Sequence, residues 1–388
     1  MDNKVNRITL FNHLFAFILL FPVIFSFLFA LLRLSVPSYL FIIIVTIAVL
    51  PLIGGREFSM SLRPAKSWVI LLLLWILSSL LYTKSVFAAQ EKALAIVYNT
   101  VIPILLIEFF FLRSRSKRID EFSFRLVFRK YSYILIWISF FAFIFFREKG
   151  LSDRYTLMGI SNPIWFSRFV GMLALIIVGT DKPMKKNALI YFSSLGVALI
   201  LMFSTGSRGP LVAAVVTFLL MQSFIFSKKQ VLLATSIVGL FIFLGFTFVG
   251  GYLFETNFYS LYARLDLIKI FLDFEIDYIK GGGIGSYSLM FMGEDVVYYP
   301  HNIFLELFLE NGLIGVILFC IILGFFIRGF KPNILYFLAF YYLLVSLPSG
   351  DIPGNNNLFI LLYATAFAPE VYARNESKDN FGFGKGAA

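Results

Sequence analysis

The chain has 388 residues, 60% of them hydrophobic and only 14% charged, with 49 Phe and a mean hydropathy of +0.87. A soluble domain cannot hide that much apolar surface, so composition excludes a soluble enzyme and indicates an all-α polytopic membrane protein, counted by spans rather than by soluble domains. The net charge of +11 does not indicate a nucleic-acid partner, because its distribution follows the loops, and the single cysteine, Cys320, excludes an intramolecular disulfide and a thiolate metal cluster.

A hydrocarbon core of ~30 Å needs ~20 apolar residues per helix, fewer where a helix is short or tilted in protein surroundings. Twelve segments qualify: 8 to 31, 38 to 54, 67 to 82, 94 to 112, 131 to 146, 163 to 180, 188 to 203, 209 to 226, 231 to 249, 302 to 327, 332 to 347 and 355 to 369. The first lacks a short apolar region followed by a small-residue cleavage site and reads as a retained span. His13, in its inner part, reads as structural. With both termini cytoplasmic, the inner segments hold 22 of the 33 Lys and Arg, the outer segments ten, and Arg168 lies within a span. That excess follows the positive-inside rule. The run "RSRSKR" at 113 to 118 reads as topology and lipid-headgroup anchoring. Residues 1–369 therefore form one membrane domain, and 370–388 read as a polar, disordered cytoplasmic tail.

The outer side carries the candidate chemistry. "FSTGSRGPLVAA", 203 to 214, is a very short turn in which Arg208 is surrounded by Ser204, Thr205, Gly206, Ser207 and Gly209. Such an arginine either snorkels to the interface or binds an anion with help from nearby backbone N–H groups. The loop 250–301 is far longer than the others, and long loops concentrate function. Its middle, "SLYARLDLIKIFLDF" (260 to 274), suits an interfacial helix or a re-entrant piece, with Arg264 either pairing with Asp266 or Asp273 or serving a site. The loop ends at "YYPHN" (298 to 302), where Pro300 sets the approach, Asn302 caps the next helix and His301 is left at the outer mouth, where it can titrate near neutrality. Asn302, Glu306 and Glu310 follow at four-residue steps on one helical face, which must meet protein or a wet cavity rather than lipid. The two glutamates are expected to orient neighbouring polar groups or to serve the structure.

Other patterns carry less. "GGGIG" at 281 to 285 lacks the Lys-Ser/Thr end of a phosphate-binding loop and reads as a turn. "DFEID" at 273 to 277 offers three carboxylates without a nearby histidine. No G-x-S-x-G or H-E-x-x-H occurs, so nothing points to hydrolase or zinc chemistry.

"TGSRGPLVA" (205 to 213), then the long loop with "ARLDLIKIF" and its Gly-rich turn, then "PHNIFLELFLENGLIG" (300 to 315), resembles the O-antigen ligase and O-antigen polymerase (Wzy-type) superfamily of bacterial envelope enzymes. "GISNPIWFSRFVGMLAL" (159 to 175) is similar to the superfamily's helix that follows an Asn-Pro. The resemblance implies an architecture like that of the GT-C membrane glycosyltransferases. It also implies transfer of a glycan from an undecaprenyl-diphosphate carrier to an acceptor hydroxyl on the periplasmic side of the inner membrane, with no cofactor, nucleotide sugar or metal. The acceptor would be another lipid-linked glycan for a polymerase or lipid A-core for a ligase. In that reading Arg208 and Arg264 grip the diphosphate and His301 takes or orients the acceptor proton in one inverting displacement. Ser207, Asn302 and Glu306 are the further substrate-binding candidates, although capping explains Asn302 equally well. The rival reading is a lipid-linked oligosaccharide transporter or flippase, which would use internal arginines such as Arg168 and broken helices, but no internal repeat is visible and the polar residues cluster on the outer side.

Overall fold

A computed structural model of the chain describes residue 13 and residues 64–114, 121–149, 155–157, 163–180, 188–225, 277–330, 332–348 and 350–365. The expected spans 8 to 31, 38 to 54 and 231 to 249, most of the loop 250–301 with Arg264, and the tail 370–388 lie outside the described residues, His13 excepted. Each of the other nine apolar segments contains a helix. In chain order they supply α1 (Pro64–Ser78), α2 (Phe87–Ile96), which continues through a π turn (Val97–Val101) into α3 (Ile102–Ser114), α4 (Glu121–Phe146), α5 (Pro163–Thr180), α6 (Ala188–Ser204) and α7 (Arg208–Ile225). After the short α8 (Ser286–Met292) come α9 (Ile303–Arg328), α10 (Ile334–Ser346) and α11 (Asn356–Thr365). A two-stranded antiparallel hairpin, β1 (Arg147–Lys149) with β2 (Tyr155–Leu157), is the one departure from an all-α fold among the described residues.

Among the described residues, five helical stretches are long and apolar enough to cross a membrane: 64–81, 87–108, 125–145, 163–180 and 303–328; α6, α7 and α10 are shorter apolar helices. The bundle is organised around α5. It starts at a proline, whose missing N–H would have been an orphan at that position anyway. Almost its whole circumference from Phe166 to Val178 is buried, against α4, α6, α7 and α10, as expected of a helix that is apolar all round. A second group joins α9 to α1, and α11 to α1, α3 and α10. Phe141, Phe145, Phe192, Ile200 and Phe203 remain exposed on α4 and α6, an apolar surface suited to acyl chains rather than water.

The structure starts α4 at Glu121, ten residues before the expected 131, and at two other boundaries it draws a loop lysine into a helix for an electrostatic reason. The α1 helix begins at Pro64 and draws in Lys66, counted above as an inner-loop charge; its ammonium is buried 2.9 Å from Glu108 Oε2, which also accepts from the Tyr363 hydroxyl at 2.6 Å. The α2 helix begins at Phe87, seven residues before the expected 94, and draws in Lys92, counted as an outer-loop charge. A buried carboxylate needs a buried partner, and in both cases a lysine moves into the helix to supply it.

The α9 helix is broken at Gly312 (φ 66°, ψ −167°). The segment 277–283 crosses the break and takes over its hydrogen bonds. The N–H groups of Gly282 and Gly283 donate to the carbonyls of Leu309 (2.9 Å) and Glu310 (2.8 Å), and the N–H groups of Leu313 and Ile314 donate to Tyr278 and Ile279. A Cβ on Gly281 would lie 2.6 Å from the backbone of Glu310 to Gly312, so the close approach requires glycine there. The "GGGIG" segment is thus a turn, as the sequence indicated, and one that fills a helix break.

Candidate functional site

One end of the bundle gathers the N-terminal turns of α2, α5, α7 and α9 with the segments 277–302 and 345–355. Its foundation is a buried charge cluster. The Lys92 ammonium lies 2.7 Å from Glu306 Oε1 and 2.6 Å from Glu310 Oε1, with all three side chains essentially inaccessible. The second Glu306 oxygen accepts the N–H of Ile352 at 2.9 Å, while Glu310 Oε2 has no protein partner among the described residues. The face carrying Asn302, Glu306 and Glu310 therefore meets protein, one of the two possibilities its spacing allowed.

Asn302 does start α9. Its side-chain oxygen accepts from the N–H groups of Phe304 and Leu305 at 3.0 and 3.1 Å, which satisfies two of the four donors a helix start leaves open. His301, just before it, holds φ +58° and is the only described non-glycine residue with positive φ. Placing a β-substituted residue there costs about 1 kcal/mol or more, a strain characteristic of functional turns. The imidazole is half-buried and packs edge-on against Tyr299, ring centroids 4.7 Å apart. Behind it Tyr298, Tyr287 and Phe291 form a stack with centroid spacings of 5.6 to 6.4 Å. Burial, and then the nearby Asp351, raise the Tyr299 hydroxyl above the usual phenol range, so it stays a neutral donor.

The segment 277–295 also fixes α2. Asp295 accepts the N–H groups of Val86, Phe87 and Ala88 at 2.8 to 2.9 Å together with the Ser85 hydroxyl. The Ala88 N–H first, then the Ser85 hydroxyl and the Phe87 N–H, hold its carboxyl down at about 2. A carboxylate at a helix N-terminus also complements the helix dipole. Lys92 lies one turn further along the helix so anchored.

Arg168, on the second turn of α5, is buried and turned into the segment 345–355. It donates to Asn355 Oδ1 at 3.1 Å and to the carbonyls of Gly354 (3.4 Å) and Val345 (3.5 Å). Gly350 takes φ +85°, and a Cβ there would lie 2.7 Å from the guanidinium. Within the segment, Asp351 Oδ1 accepts the Gly354 N–H at 2.8 Å. At its start Pro348 faces α7: a Cβ on Gly209 would lie 3.2 Å from Pro348 Cγ.

Arg208 is thereby placed at this same end, as the first residue of α7, half-buried, directly after the turn in which the Ser207 N–H donates to Thr205 Oγ1 at 3.3 Å. Ser207 itself is buried. Of the residues singled out from the sequence, Arg208, Ser207, His301, Asn302 and Glu306 come together at one end of the bundle, and Arg264 lies outside the described residues. Glu306 has both carboxylate oxygens engaged within the protein. Sequence reasoning missed Lys92 and Asp351 and gave Arg168 only to the transporter reading. One signal was available: two glutamates a helical turn apart in an apolar span call for a cation, and Lys92 opens the apolar run that follows it.

Compared with known protein families, residues 193–320 match the model of a family described as O-antigen ligase. The match takes in Ser207, Arg208, Arg264, His301, Asn302, Glu306 and Glu310, and the resemblance read from the motifs is borne out over that third of the chain. It does not reach Lys92, Arg168 or Asp351. A search of the curated proteins returned no match.

Proposed function

We propose, from the O-antigen ligase match and the gathering of Arg208 and His301 at one end of the bundle, that the chain is a membrane glycosyltransferase of the O-antigen ligase or polymerase type. The donor is a glycan on undecaprenyl diphosphate and the acceptor hydroxyl belongs to a second lipid-linked glycan or to lipid A-core. The reaction face is periplasmic, in a twelve-span, GT-C-like bundle over residues 1–369 with cytoplasmic termini and the loop 250–301 outside. In the step itself the acceptor oxygen attacks the anomeric carbon from the side opposite the diphosphate. The C–O bond to the diphosphate breaks, the electron pair leaves on that oxygen, and the acceptor proton goes to a ring nitrogen of His301. Arg208 and Arg264 offset the charge that develops on the leaving group. Asn302 orders the turn that presents His301, and Glu306 acts behind it through its bonds to Lys92 and Ile352. Ser207 binds substrate beside Arg208.

The observation that carries this reading is the position of His301: strained, half-buried and set at the head of a capped helix inside the matched region. The transporter reading would use the break in α9 as an ion or substrate site. That break has its backbone groups engaged by 277–283, which supports transfer over transport. The test is purified protein in nanodiscs with the native carrier-linked repeat unit, chelator present, in two reactions, one with that donor alone and one with lipid A-core added. Elongation in the first that is lost in His301→Ala assigns a polymerase. Product only in the second assigns a ligase, and binding without covalent product in either overturns the proposal.

A further inference from the structure

Arg208 opens α7 and His301 directly precedes the cap of α9, and these two helices do not pack closely against one another. What connects them is the segment 345–355. Pro348 lies against Gly209, beside Arg208. Four residues later Ile352 donates to Glu306, one turn along the helix that His301 heads. Two buried cations from outside the matched region hold this bridge. Arg168 takes three acceptors between Val345 and Asn355, and Lys92 fixes the Glu306 carboxylate that receives Ile352. Neither cation has a free path to a substrate, since both are fully buried. Simple stability does not explain the arrangement well. A buried ion pair such as that of Lys92 with Glu306 and Glu310 roughly breaks even against apolar packing, which leaves specification of one geometry as a role for it.

We propose that residues 345–348 and 350–355 form a positioning bridge that sets Arg208 against His301, and that Lys92 and Arg168 are positioning residues for glycan transfer because they hold it. The inference rests on the reading above for the identity of the reaction. Its structural half stands apart, because the bridge can be read without activity. A Cβ at residue 209 lies 3.9 Å from Pro348 Cβ, within the ~3.5–4.5 Å that a disulfide spans.

The experiment uses the full chain in nanodiscs with Cys320→Ala, Gly209→Cys and Pro348→Cys. Mild oxidation is expected to close the 209–348 bond, and Lys92→Met or Arg168→Gln to slow closure about tenfold or more. In the chain without the engineered thiols, the same substitutions are expected to lower kcat by about tenfold to 100-fold while leaving KM for the carrier-linked donor nearly unchanged, since misplacement of reacting groups by ~1 Å costs this much. Lys92→Arg, which keeps the charge, restores most of kcat. If Lys92→Met fails to accumulate, adding Glu306→Gln and Glu310→Gln removes the stranded charges and allows the same crosslink measurement, with closure still expected below the parental rate. Closure at the parental rate in the Lys92 and Arg168 variants overturns the proposal, as does lost kcat with unchanged closure. A parent chain that transfers no glycan, while its crosslink still depends on both residues, overturns the reading of function instead.

Discussion

Replacing Lys92 by methionine removes the cation bonded to the two buried carboxylates of Glu306 and Glu310. In the native bundle the Lys92 ammonium lies 2.7 Å from Glu306 and 2.6 Å from Glu310, with all three side chains buried. After the substitution Glu306 keeps one hydrogen bond, from Ile352, and Glu310 keeps none, because its other oxygen already lacks a protein partner among the described residues. Breaking a buried pair by deleting one partner costs ~3–5 kcal/mol. With roughly 2 °C per kcal/mol for a chain at the large end of the range, the melting temperature is expected to fall by about 6–10 °C. The assay is thermal unfolding in one detergent, followed by size-exclusion recovery of the heated, fluorescently tagged protein. Two controls make the reasoning testable. Lys92→Arg should recover most of the loss, and Lys92→Met with Glu306→Gln and Glu310→Gln should recover at least half, since neutral amides no longer need a counter-charge. A Lys92→Met protein that melts within about 1 °C of the parent, or a neutral triple variant no better than the single one, would refute the electrostatic account.

Transfer by His301→Gln is expected to fall by about 10²–10⁴-fold, the range for loss of a general base, with membrane insertion unchanged; undiminished product by glycan gel removes His301 from the mechanism. Gly312→Ala places a Cβ into the Ile279 carbonyl at a left-handed φ and should sharply reduce folded yield, whereas Gly324→Ala, with open space around it, should be neutral or slightly stabilising by yield and melting temperature. Asp295 has its folded pKa lowered to about 2 from an ordinary 3.8. Its stabilisation is therefore complete above the ordinary value and is lost as pH falls toward the folded one. Between about pH 4 and pH 2 the native chain should lose more melting temperature than Asp295→Asn, and parallel curves would show that the cap does not titrate as described.

Local physics made part of this protein readable from its residues. The helix 163–180 has the expected bounds because a proline opens an unbroken apolar run, and Asn302 caps α9 because a short polar side chain before an apolar helix has few better uses. The all-α membrane class followed from composition, and the family resemblance from motifs that a family model also matches over 193–320. Glu306 and Glu310 announced themselves as turned away from lipid. What they meet was not readable, because Lys92 lies more than 200 residues earlier in the chain and was counted with a loop. The break in α9 at Gly312 was likewise hidden: a glycine in an apolar run looks like a tolerated helical residue until the segment around Gly281 to Gly283 arrives to take its hydrogen bonds. Arg168 looked like a lone charge in a span and proved to hold the segment 345–355. Sequence periodicity determines which faces must be buried. Only the tertiary structure decides which distant charge or backbone group satisfies them, because that pairing depends on how helices far apart in the chain pack.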